Sequence, residues 1–473
     1  MLPNIKRYFI WPSVVKVDEQ TELTVTASER AHMFHADREY KIVIIASNAN
    51  FHGAVNPNEA IKEISAVAKD GILKFNVDFD EEGEYNIFLE YAEARVAEFA
   101  IYALREDLYS LQPVKGDLHL HSYRSDGLHD PSSLMGYYRE MGYDFFALTD
   151  HNRYFPGKEI EEVSSGLNTT FVRIDGEEVH APGASAHIVH IGGNKSVSDF
   201  YVHNKEEYDR QVLEYEKKVP ANVPEKYHRM YSRIMWVVDN IHAAGGIAIL
   251  AHPYWRPGKM RAYHVNDELS KILLHSGLFD AYEIIGGMLQ LGINRSLAMF
   301  RELELDGLRL PVVASSDVHD VITSRAFPYF YTVCYVSQNT SEGIIDAIKS
   351  NLSIAVEKVD TNIGEQNRCY GSLRLVSYTH FLISNYFPMV QRFASAEGIA
   401  MQQYSMGIVD KSFVEMLGLQ VENYRKRFFG QLPPVLPTKQ MLEFEEKWRE
   451  VQRNGPLTKA STVYYDVPPT YQI

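Results

Sequence analysis

The chain has 473 residues, with 47 Lys and Arg against 62 Asp and Glu, and a formal net charge of −15 at neutral pH. A nucleic-acid-binding surface needs a basic footprint to neutralise phosphates, so this balance argues against a nucleic-acid partner. The length exceeds one typical domain, and 45% hydrophobic residues suffice for packed cores, so we expect two or three domains.

Cysteine use and hydropathy indicate the compartment. Cys334 and Cys369 are the two cysteines and do not form a Cys-x-x-Cys motif, so no disulfide framework is expected. The residues after Met1 lack the apolar core of a signal peptide, and no apolar run is long enough to cross a membrane. We therefore expect a cytoplasmic protein without a membrane partner.

Short alternating segments with turn signals between them fill the first part of the chain. Strands are predicted at residues 13–17, 21–26, 40–45, 73–79, 83–91 and 99–104. Together they predict an antiparallel β-sandwich over residues 1–110, and the turn at Glu82-Gly83-Glu84-Tyr85 is typical of immunoglobulin-like folds. We expect this domain to serve packing or dimerisation rather than carbohydrate binding, and residues 105–113 to be a linker.

Four later apolar segments each end in, or just before, a polar motif. The segments are residues 145–148, 171–174, 247–250 and 311–314. The motifs are Asp117-Leu118-His119-Leu120-His121, Ser125-Asp126-Gly127, Thr149-Asp150-His151-Asn152, Gly176-Glu177-Glu178, Ala251-His252-Pro253 and Ser315-Ser316-Asp317-Val318-His319. In a barrel of parallel strands the strand C-termini meet at one rim, where active sites are built. These motifs are therefore expected to meet in space.

The spacing within the motifs points to metal binding. In His119-x-His121 and Asp317-x-His319 a period of two places both side chains on one strand face. Imidazole with carboxylate suits Zn, Mn or Fe better than Mg or Ca. Two or three such ions can ionise a bridging water near neutral pH and stabilise an in-line displacement at phosphorus.

These ordered motifs resemble the PHP (polymerase and histidinol phosphatase) family over residues 113–358, in a branch similar to carbaryl hydrolases. The resemblance implies an α/β fold with a distorted (β/α)7-type barrel and two or three divalent metal ions at its rim. It assigns a first metal to His119, His121, Glu178 and Asp317. It assigns a second to Glu178, His252 and His187, and a third to Asp126, His151 and His319.

Two assignments have alternatives. Glu177 and Glu178 face opposite ways if the backbone is extended, and the Gly-x-Glu pattern favours Glu178. His187 and His190 also fall on opposite strand faces; the distance to Gly192 favours His187, and His180 is a third candidate. Histidines outside the motifs are expected to be structural, namely His129, His203, His228, His242, His264 and His275.

Other segments supply candidate substrate contacts. Arg153, Arg256 and Arg295 lie near the motifs and are candidate phosphate ligands, and Asn294 is a candidate pocket residue. The barrel carries an insertion at residues 194–232, with a charged helix at 204–218 that is a candidate lid. Residues 359–473 are predicted as a mainly helical extension, with helices at 411–428 and 438–453. Its tyrosine-rich run at 370–393 suits a subunit interface or an active-site roof, so a homo-oligomer is an open expectation.

The function implied is a metal-dependent phosphoesterase that hydrolyses a small phosphorylated metabolite, a mono- or diester, through a metal-bridging hydroxide. His151, His252 and Asp317 are the candidate catalytic residues, and His151 or His252 would protonate the leaving group. The alternatives are a metal-dependent ester, amide or carbamate hydrolase, and an inactive metabolite- or carbohydrate-binding protein. The expected partner is a small molecule, anionic for the phosphoesterase.

Overall fold

The computed structural model describes residues 6–36, 38–48, 62–164, 166–256, 262–288, 290–361 and 364–454. The chain divides into two compact units. The first comprises residues 1–110, 381–389 and 421–473, and the second comprises 111–380 and 390–420. Among the described residues, no helix has the length and hydropathy needed to cross a bilayer.

The first unit is built on two sheets. Its strands are β1 (Tyr8–Trp11), β2 (Val14–Lys16), β3 (Thr21–Ala27), β4 (Glu39–Ala46), β5 (Lys62–Val67), β6 (Leu73–Val77), β7 (Gly83–Tyr91) and β8 (Ala94–Leu104). Their order is β1-β3-β6 in one sheet and β2-β8-β7-β4-β5 in the other. Alternate residues of both sheets, such as Val25 and Ile87, are buried in one common core. The β2–β8 pair is parallel, so the second sheet is mixed rather than wholly antiparallel.

The second unit contains one ten-stranded sheet. Its strands are β9 (Gln112–Leu120), β10 (Phe145–Leu148), β11 (Val172–Val179), β12 (His187–Gly192), β13 (Gly246–Ala251), β14 (Ala281–Ile285), β15 (Val312–Ala314), β16 (Phe330–Val336), β17 (Ser353–Thr361) and β18 (Gly364–Tyr370). Their order is β15-β14-β13-β12-β11-β10-β9-β16-β17-β18. β12 is antiparallel to both of its neighbours, and β16 to β18 are antiparallel to the strands beside them. The mixed α/β class is confirmed, but the sheet is not a succession of seven strand–helix repeats.

The sheet nearly closes on itself where the chain leaves β15. The amide of Asp317 donates to the carbonyl of His119 at 2.9 Å, and the amide of His121 donates to the carbonyl of Val318 at 2.9 Å. The chain after β15 therefore runs beside the end of β9. This near closure brings the two metal motifs that are furthest apart in the sequence side by side.

Helices alternate with the later strands along the chain and make up the C-terminal region. They are α1 (Glu106–Tyr109), α2 (Pro131–Glu140), α3 (Pro156–Val163), α4 (Ser198–His203), α5 (Lys205–Glu216), α6 (His228–Ala243), α7 (Asp267–His275), α8 (Gln290–Leu305), α9 (Ser341–Lys349), α10 (Leu373–Asn385), α11 (Phe387–Ser405), α12 (Lys411–Phe428) and α13 (Lys439–Asn454). The helical C-terminal region predicted from the sequence is confirmed. The segment expected as a linker contains α1, and the predicted insertion contains α4, α5 and the start of α6.

The starts and ends of the helices follow local chemistry. The Asp130 carboxylate accepts from the Ser133 amide at 2.9 Å and caps α2, which begins at Pro131. Helix α6 ends beside Gly245, whose φ of +85° is the left-handed conformation that glycine adopts without strain. The turn so formed leads directly into β13, the strand that carries His252 to the rim.

A buried ion pair links α2 to α11 within the second unit. The Arg139 Nε donates to the Glu397 Oε2 at 2.7 Å, and both side chains are at most 1% exposed. Arg139 also donates to Asp144 at 3.3 Å and to Thr170 at 3.1 Å, which satisfies the rest of its guanidinium group. A buried pair of this kind is costly to break because the remaining charge stays desolvated.

We predict that Arg139→Met lowers the free energy of unfolding by about 3–5 kcal/mol, because Glu397 is left as an unpaired buried charge. Chemical denaturation followed by circular dichroism measures this. The double variant Arg139→Met/Glu397→Leu should recover most of the loss. An equal loss in the single and double variants would mean that the pair is not coupled.

Candidate metal centre

The site is organised around the carboxylate of Glu178, which lies near the end of β11 and is buried. One of its oxygens, Oε1, lies 3.2 Å from His180 Nε2, 2.8 Å from His187 Nδ1 and 3.2 Å from His252 Nε2. The other, Oε2, lies 2.7 Å from His151 Nδ1, 3.4 Å from His119 Nε2 and 3.5 Å from His121 Nε2. A single carboxylate is thus surrounded by imidazoles from several elements.

Among the described residues, three groups of donor atoms are dense enough to hold metal ions, with all atoms of a group within 4.8 Å of one another. They are His119, Glu178, His252 and Asp317; His121, Asp126, His151 and His319; and His151, Glu178 and His180. The motif analysis grouped His121 with His119, whereas the structure groups it with Asp126. His121 nevertheless keeps its Nε2 3.0 Å from Asp317 Oδ1, so it stands between the two groups.

The donor atoms fit bound cations better than they fit hydrogen bonds with each other. His119 Nε2, His151 Nδ1, His180 Nε2 and Glu178 Oε2 are buried atoms without a hydrogen-bond partner among the described residues. In a tetrahedral zinc site with bonds of about 2.0–2.1 Å, neighbouring donors lie roughly 3.3–3.4 Å apart. The distance from His119 Nε2 to Asp317 Oδ1 is 3.4 Å, and that from His319 Nε2 to Asp126 Oδ1 is 3.3 Å. Both match this spacing.

The direction of β12 explains how a strand N-terminus reaches the rim. Because β12 runs antiparallel to β11 and β13, its first residue, His187, pairs with Ala251 at the end of β13. His190 lies deeper, opposite Glu177. Its Nδ1 is 3.2 Å from the Glu177 Oε1, and Glu177 also accepts from the Val197 amide at 2.6 Å. The structure therefore brings Glu178 and His187 to the site and places Glu177 and His190 away from it.

Three residues at the rim have left-handed backbone, which side chains other than glycine rarely adopt. They are Asn152 with φ of +53°, His252 with φ of +21° and Asp317 with φ of +51°. Such strain persists where the surrounding structure determines the conformation, and it concentrates at functional sites. Gly287 makes room for one of them, since a Cβ there would lie 2.6 Å from the Asp317 Cβ.

Buried carboxylates behind the rim hold the donors in place. Glu283, at β14, has its Oε2 3.0 Å from His119 Nδ1 and so fixes which His119 nitrogen faces the site. Asp117 accepts from the Tyr138 hydroxyl at 2.7 Å and from the Ser316 amide at 3.0 Å, and burial raises its pKa to about 6. The sequence analysis missed Glu283; a carboxylate inside an otherwise apolar strand was the available signal.

A third buried carboxylate, Asp150, shapes the loop that carries Asp126. Asp150 accepts from the Ser122 amide at 2.9 Å, the Ser122 hydroxyl at 2.8 Å and the Ser125 hydroxyl at 2.6 Å. These bonds bring Asp126 to the rim, where its Oδ2 lies 3.3 Å from His151 Nε2. Asp126, His151 and His319 are thus brought together as the motif analysis expected.

Electrostatics divide the imidazoles into two classes. Burial opposes the charged form of His119, but the carboxylates of Asp317, Glu178 and Glu283 raise its pKa well above the usual value. Burial likewise opposes the charged form of His252, but Glu178 and Asp317 raise its pKa to about 9. Burial instead lowers the pKa of His121 to about 4 and that of His187 to about 3. The surplus of negative charge around Glu178 is a field that attracts cations.

Two further histidines join the cluster. His180 was the third candidate beside His187 and His190, and the structure places it against Glu178 and His151. His264, expected to be structural, has its ring 4.2 Å from that of His187 and 5.5 Å from the Trp255 ring. His264 follows no strand motif, so its position depends on the loop after His252.

The candidate substrate-binding residues differ in their surroundings. Arg295 forms an ion pair with Asp267 and stacks over Tyr263, and Asn294 is exposed on α8. Arg153 is exposed beside Asn152. The guanidinium of Arg256 lies 4.4 Å from the Tyr263 ring, and its Nε is buried without a hydrogen-bond partner among the described residues. Arg256 is therefore the arginine with unused hydrogen-bonding capacity near His252.

Known proteins resemble parts of this chain. No protein-family model matches the chain. It is 25% identical over 240 residues to the DNA polymerase/3'-5' exonuclease PolX of Bacillus subtilis, a match that covers 47% of this chain and 41% of the polymerase. Among solved structures, a two-domain protein from Bacteroides vulgatus, whose name includes "PHP-like metal-dependent phosphoesterase", is 18% identical with a TM-score of 0.36.

That match covers 52% of this chain and 66% of the other, so the chain spans less than two thirds of both relatives. A metal-dependent phosphoesterase from Bifidobacterium adolescentis is 18% identical with a TM-score of 0.30, over 43% of this chain and 87% of that one. The resemblance to PHP proteins is confirmed, whereas the carbaryl-hydrolase branch stays a prediction. Identities and TM-scores at this level do not identify a substrate, which depends on the side chains of the site.

We predict that Glu283→Gln weakens binding of Zn²⁺ about 10- to 100-fold while leaving the fold intact, because a carboxylate that orients a ligating imidazole contributes about that much. Competition with a chromophoric chelator measures the affinity. Glu302→Gln, on the exposed face of α8, is the matched control. An affinity equal to that of the wild type would show that Glu283 does not orient His119.

Proposed function

We propose that this protein is a metal-dependent hydrolase, specifically a phosphoesterase acting on a small, anionic, phosphorylated metabolite of the cytoplasm. The observation that carries the proposal is the set of three donor groups among the described residues, one of which shares Glu178 with the second group and His151 with the third. Sites for adjacent divalent ions are characteristic of enzymes that displace groups at phosphorus. The formal net charge of −15 does not exclude an anionic substrate, since bound cations would make the electrostatic potential at the site positive.

Bound in these groups, two or three divalent ions would lower the pKa of a water molecule and neutralise charge on the phosphoryl group. The side chains of the protein would hold these ions and fix their positions. Glu178 sets the separation of the donor groups, Glu283 fixes the tautomer of His119, and Asp317 faces both His119 and His121. All of these side chains are anchored on strand ends or by hydrogen bonds, which suits a site that must keep its geometry.

Two histidines are candidates for protonating the leaving group. The His151 side chain is 24% exposed, whereas that of His252 is 3% exposed and lies under the rim. A substrate that enters from solvent therefore meets His151 before it meets His252. We therefore give His252 a purely ligating role, and His151 protonates the leaving group from a ring nitrogen that is not bound to metal.

Arg256 is the residue we propose to bind the substrate phosphate. Arg256 follows Trp255, whose ring lies 6.2 Å from that of His252, so its backbone lies in the segment after a proposed metal ligand. Its guanidinium stacks on Tyr263, and its Nε has no hydrogen-bond partner among the described residues, so the planar group is a candidate for a bidentate phosphate contact. Arg295, paired with Asp267, is not available in this way.

A second candidate is hydrolysis of a carboxylic ester, amide or carbamate with the same metal centre. The observation that favours it is the Trp255 ring, which lies 6.1 Å from the His187 ring and forms an aromatic wall at the rim. An aromatic wall suits an uncharged acyl substrate, whereas Arg256 suits a phosphate. The two functions are therefore distinguished by which of these neighbouring residues contacts the substrate.

We predict that metal-loaded protein releases the chromophore from a phosphomonoester or phosphodiester chromogen, leaving phosphate or a phosphomonoester respectively, and that a chelator stops the reaction. Asp317→Ala should remove activity while keeping the circular dichroism spectrum, because Asp317 is a donor at the rim rather than part of the apolar core. Cleavage of only the carboxylic ester chromogen would replace the phosphoesterase by the second candidate. An inert, fully loaded protein would contradict both.

Variants of Arg256 and Arg295 test the proposed phosphate contact separately. Arg256→Met should lower kcat/KM for the phosphoester about 10- to 100-fold, the value of a lost charged hydrogen bond, and leave any carboxylic ester activity unchanged. Arg295→Met is the matched control and should have little effect, since Arg295 is engaged by Asp267 on the surface. Equal effects of the two variants would remove the assignment of Arg256.

A further inference from the structure

His180 has the properties of a ligand that no motif assigned. It follows β11 immediately, two residues after Glu178, and its Nε2 lies 3.2 Å from the Glu178 Oε1. That nitrogen is buried and makes no hydrogen bond with the described residues. With His151 and Glu178 it completes a group of donor atoms that all lie within 4.8 Å of one another.

The backbone of His180 is held by hydrogen bonds that converge on the Asn152 side chain. Its amide donates to the Asn152 Oδ1 at 2.8 Å. The same oxygen accepts from the Tyr201 hydroxyl at 2.6 Å and from the Ser198 hydroxyl at 3.3 Å. Asn152 is itself in the left-handed conformation, and its amide donates to the Glu178 carbonyl at 2.9 Å. Such supporting bonds are what a precisely placed ligand requires.

The packing of His187 also favours His180 as the donor next to His151. Its ring stacks on that of His180 at 3.5 Å, and the edge of His264 lies 4.2 Å away on another side. His187 is thus packed between two imidazoles, while its Nδ1 lies 2.8 Å from the Glu178 Oε1. His187 is not in the donor group that contains His180.

We propose that His180 is a metal ligand, binding an ion on the Glu178–His151 side of the rim. The inference rests on the metal centre of the proposed function and makes His180 an additional donor, where the sequence offered it only as an alternative to His187 and His190. With His180, this position is dominated by imidazole nitrogen and has one carboxylate oxygen. That set favours zinc over magnesium or calcium, which prefer oxygen ligands.

Substitution by cysteine tests the proposal through a new signal. A thiolate bound to Co²⁺ gives a near-ultraviolet charge-transfer absorption that an unbound thiol does not. The Co²⁺-loaded His180→Cys protein should show this band, and the wild type, whose Cys334 lies in β16 and Cys369 in β18, supplies the baseline. His264→Cys is the matched control and should show no band. A band in His264→Cys but not in His180→Cys, or in neither, would overturn the proposal.

Metal content gives an independent measurement that does not depend on the cysteine variant folding. His180→Ala should retain one Zn²⁺ fewer per chain than the wild type after dialysis against limiting free zinc, measured by mass spectrometry. His264→Ala should retain the wild-type content, and equal content in all three proteins would contradict the ligand role. Neither readout uses hydrolysis, so a failed phosphoesterase assay leaves this test intact, and a failed ligand test leaves the phosphoesterase intact.

Discussion

The constraint on which the site depends is the burial of one carboxylate among imidazoles. Taking the Glu178 carboxylate out of water costs several kcal/mol unless neighbouring groups compensate. Here the compensation comes from the nitrogens that surround it, supplied by β9, β12, the end of β13 and the loops after β10 and β11. Each of these elements must reach the same rim, β12 by its first residue and the others by their C-terminal ends, for the carboxylate to be tolerated. The strand order of the barrel is therefore tied to the chemistry of the site.

The surrounding shell converts this constraint into a fixed geometry. Glu283 holds His119 from behind, Asp117 joins β9 to Ser316, and Asp150 folds the loop that presents Asp126. The left-handed residues at the rim store strain that only a well-determined environment sustains. Donor atoms held so closely, several of them without a hydrogen-bond partner among the described residues, are arranged for cations rather than for a polar core.

The sequence predicted much of this because part of the information is local. A period of two fixed the faces of His119 and His121, and the strand segments at 145–148 and 247–250 appear as β10 and β13. The choice between His187 and His190 required the direction of β12, which depends on pairing with distant strands. Arg295 looked like a phosphate ligand until the fold placed Asp267 beside it. The short strands β1 and β5 lacked a clear pattern and were missed.

The most direct test of the account is the number of ions bound per chain, measured by native mass spectrometry on the wild type and on Glu178→Ala. If Glu178 is the shared carboxylate, the zinc-loaded wild type carries two or three ions. The variant should then lose those held with His119 and His180 and keep at most the one held by Asp126 and His319. An unchanged number of ions in the variant, or a wild type that binds none, would contradict the central claim.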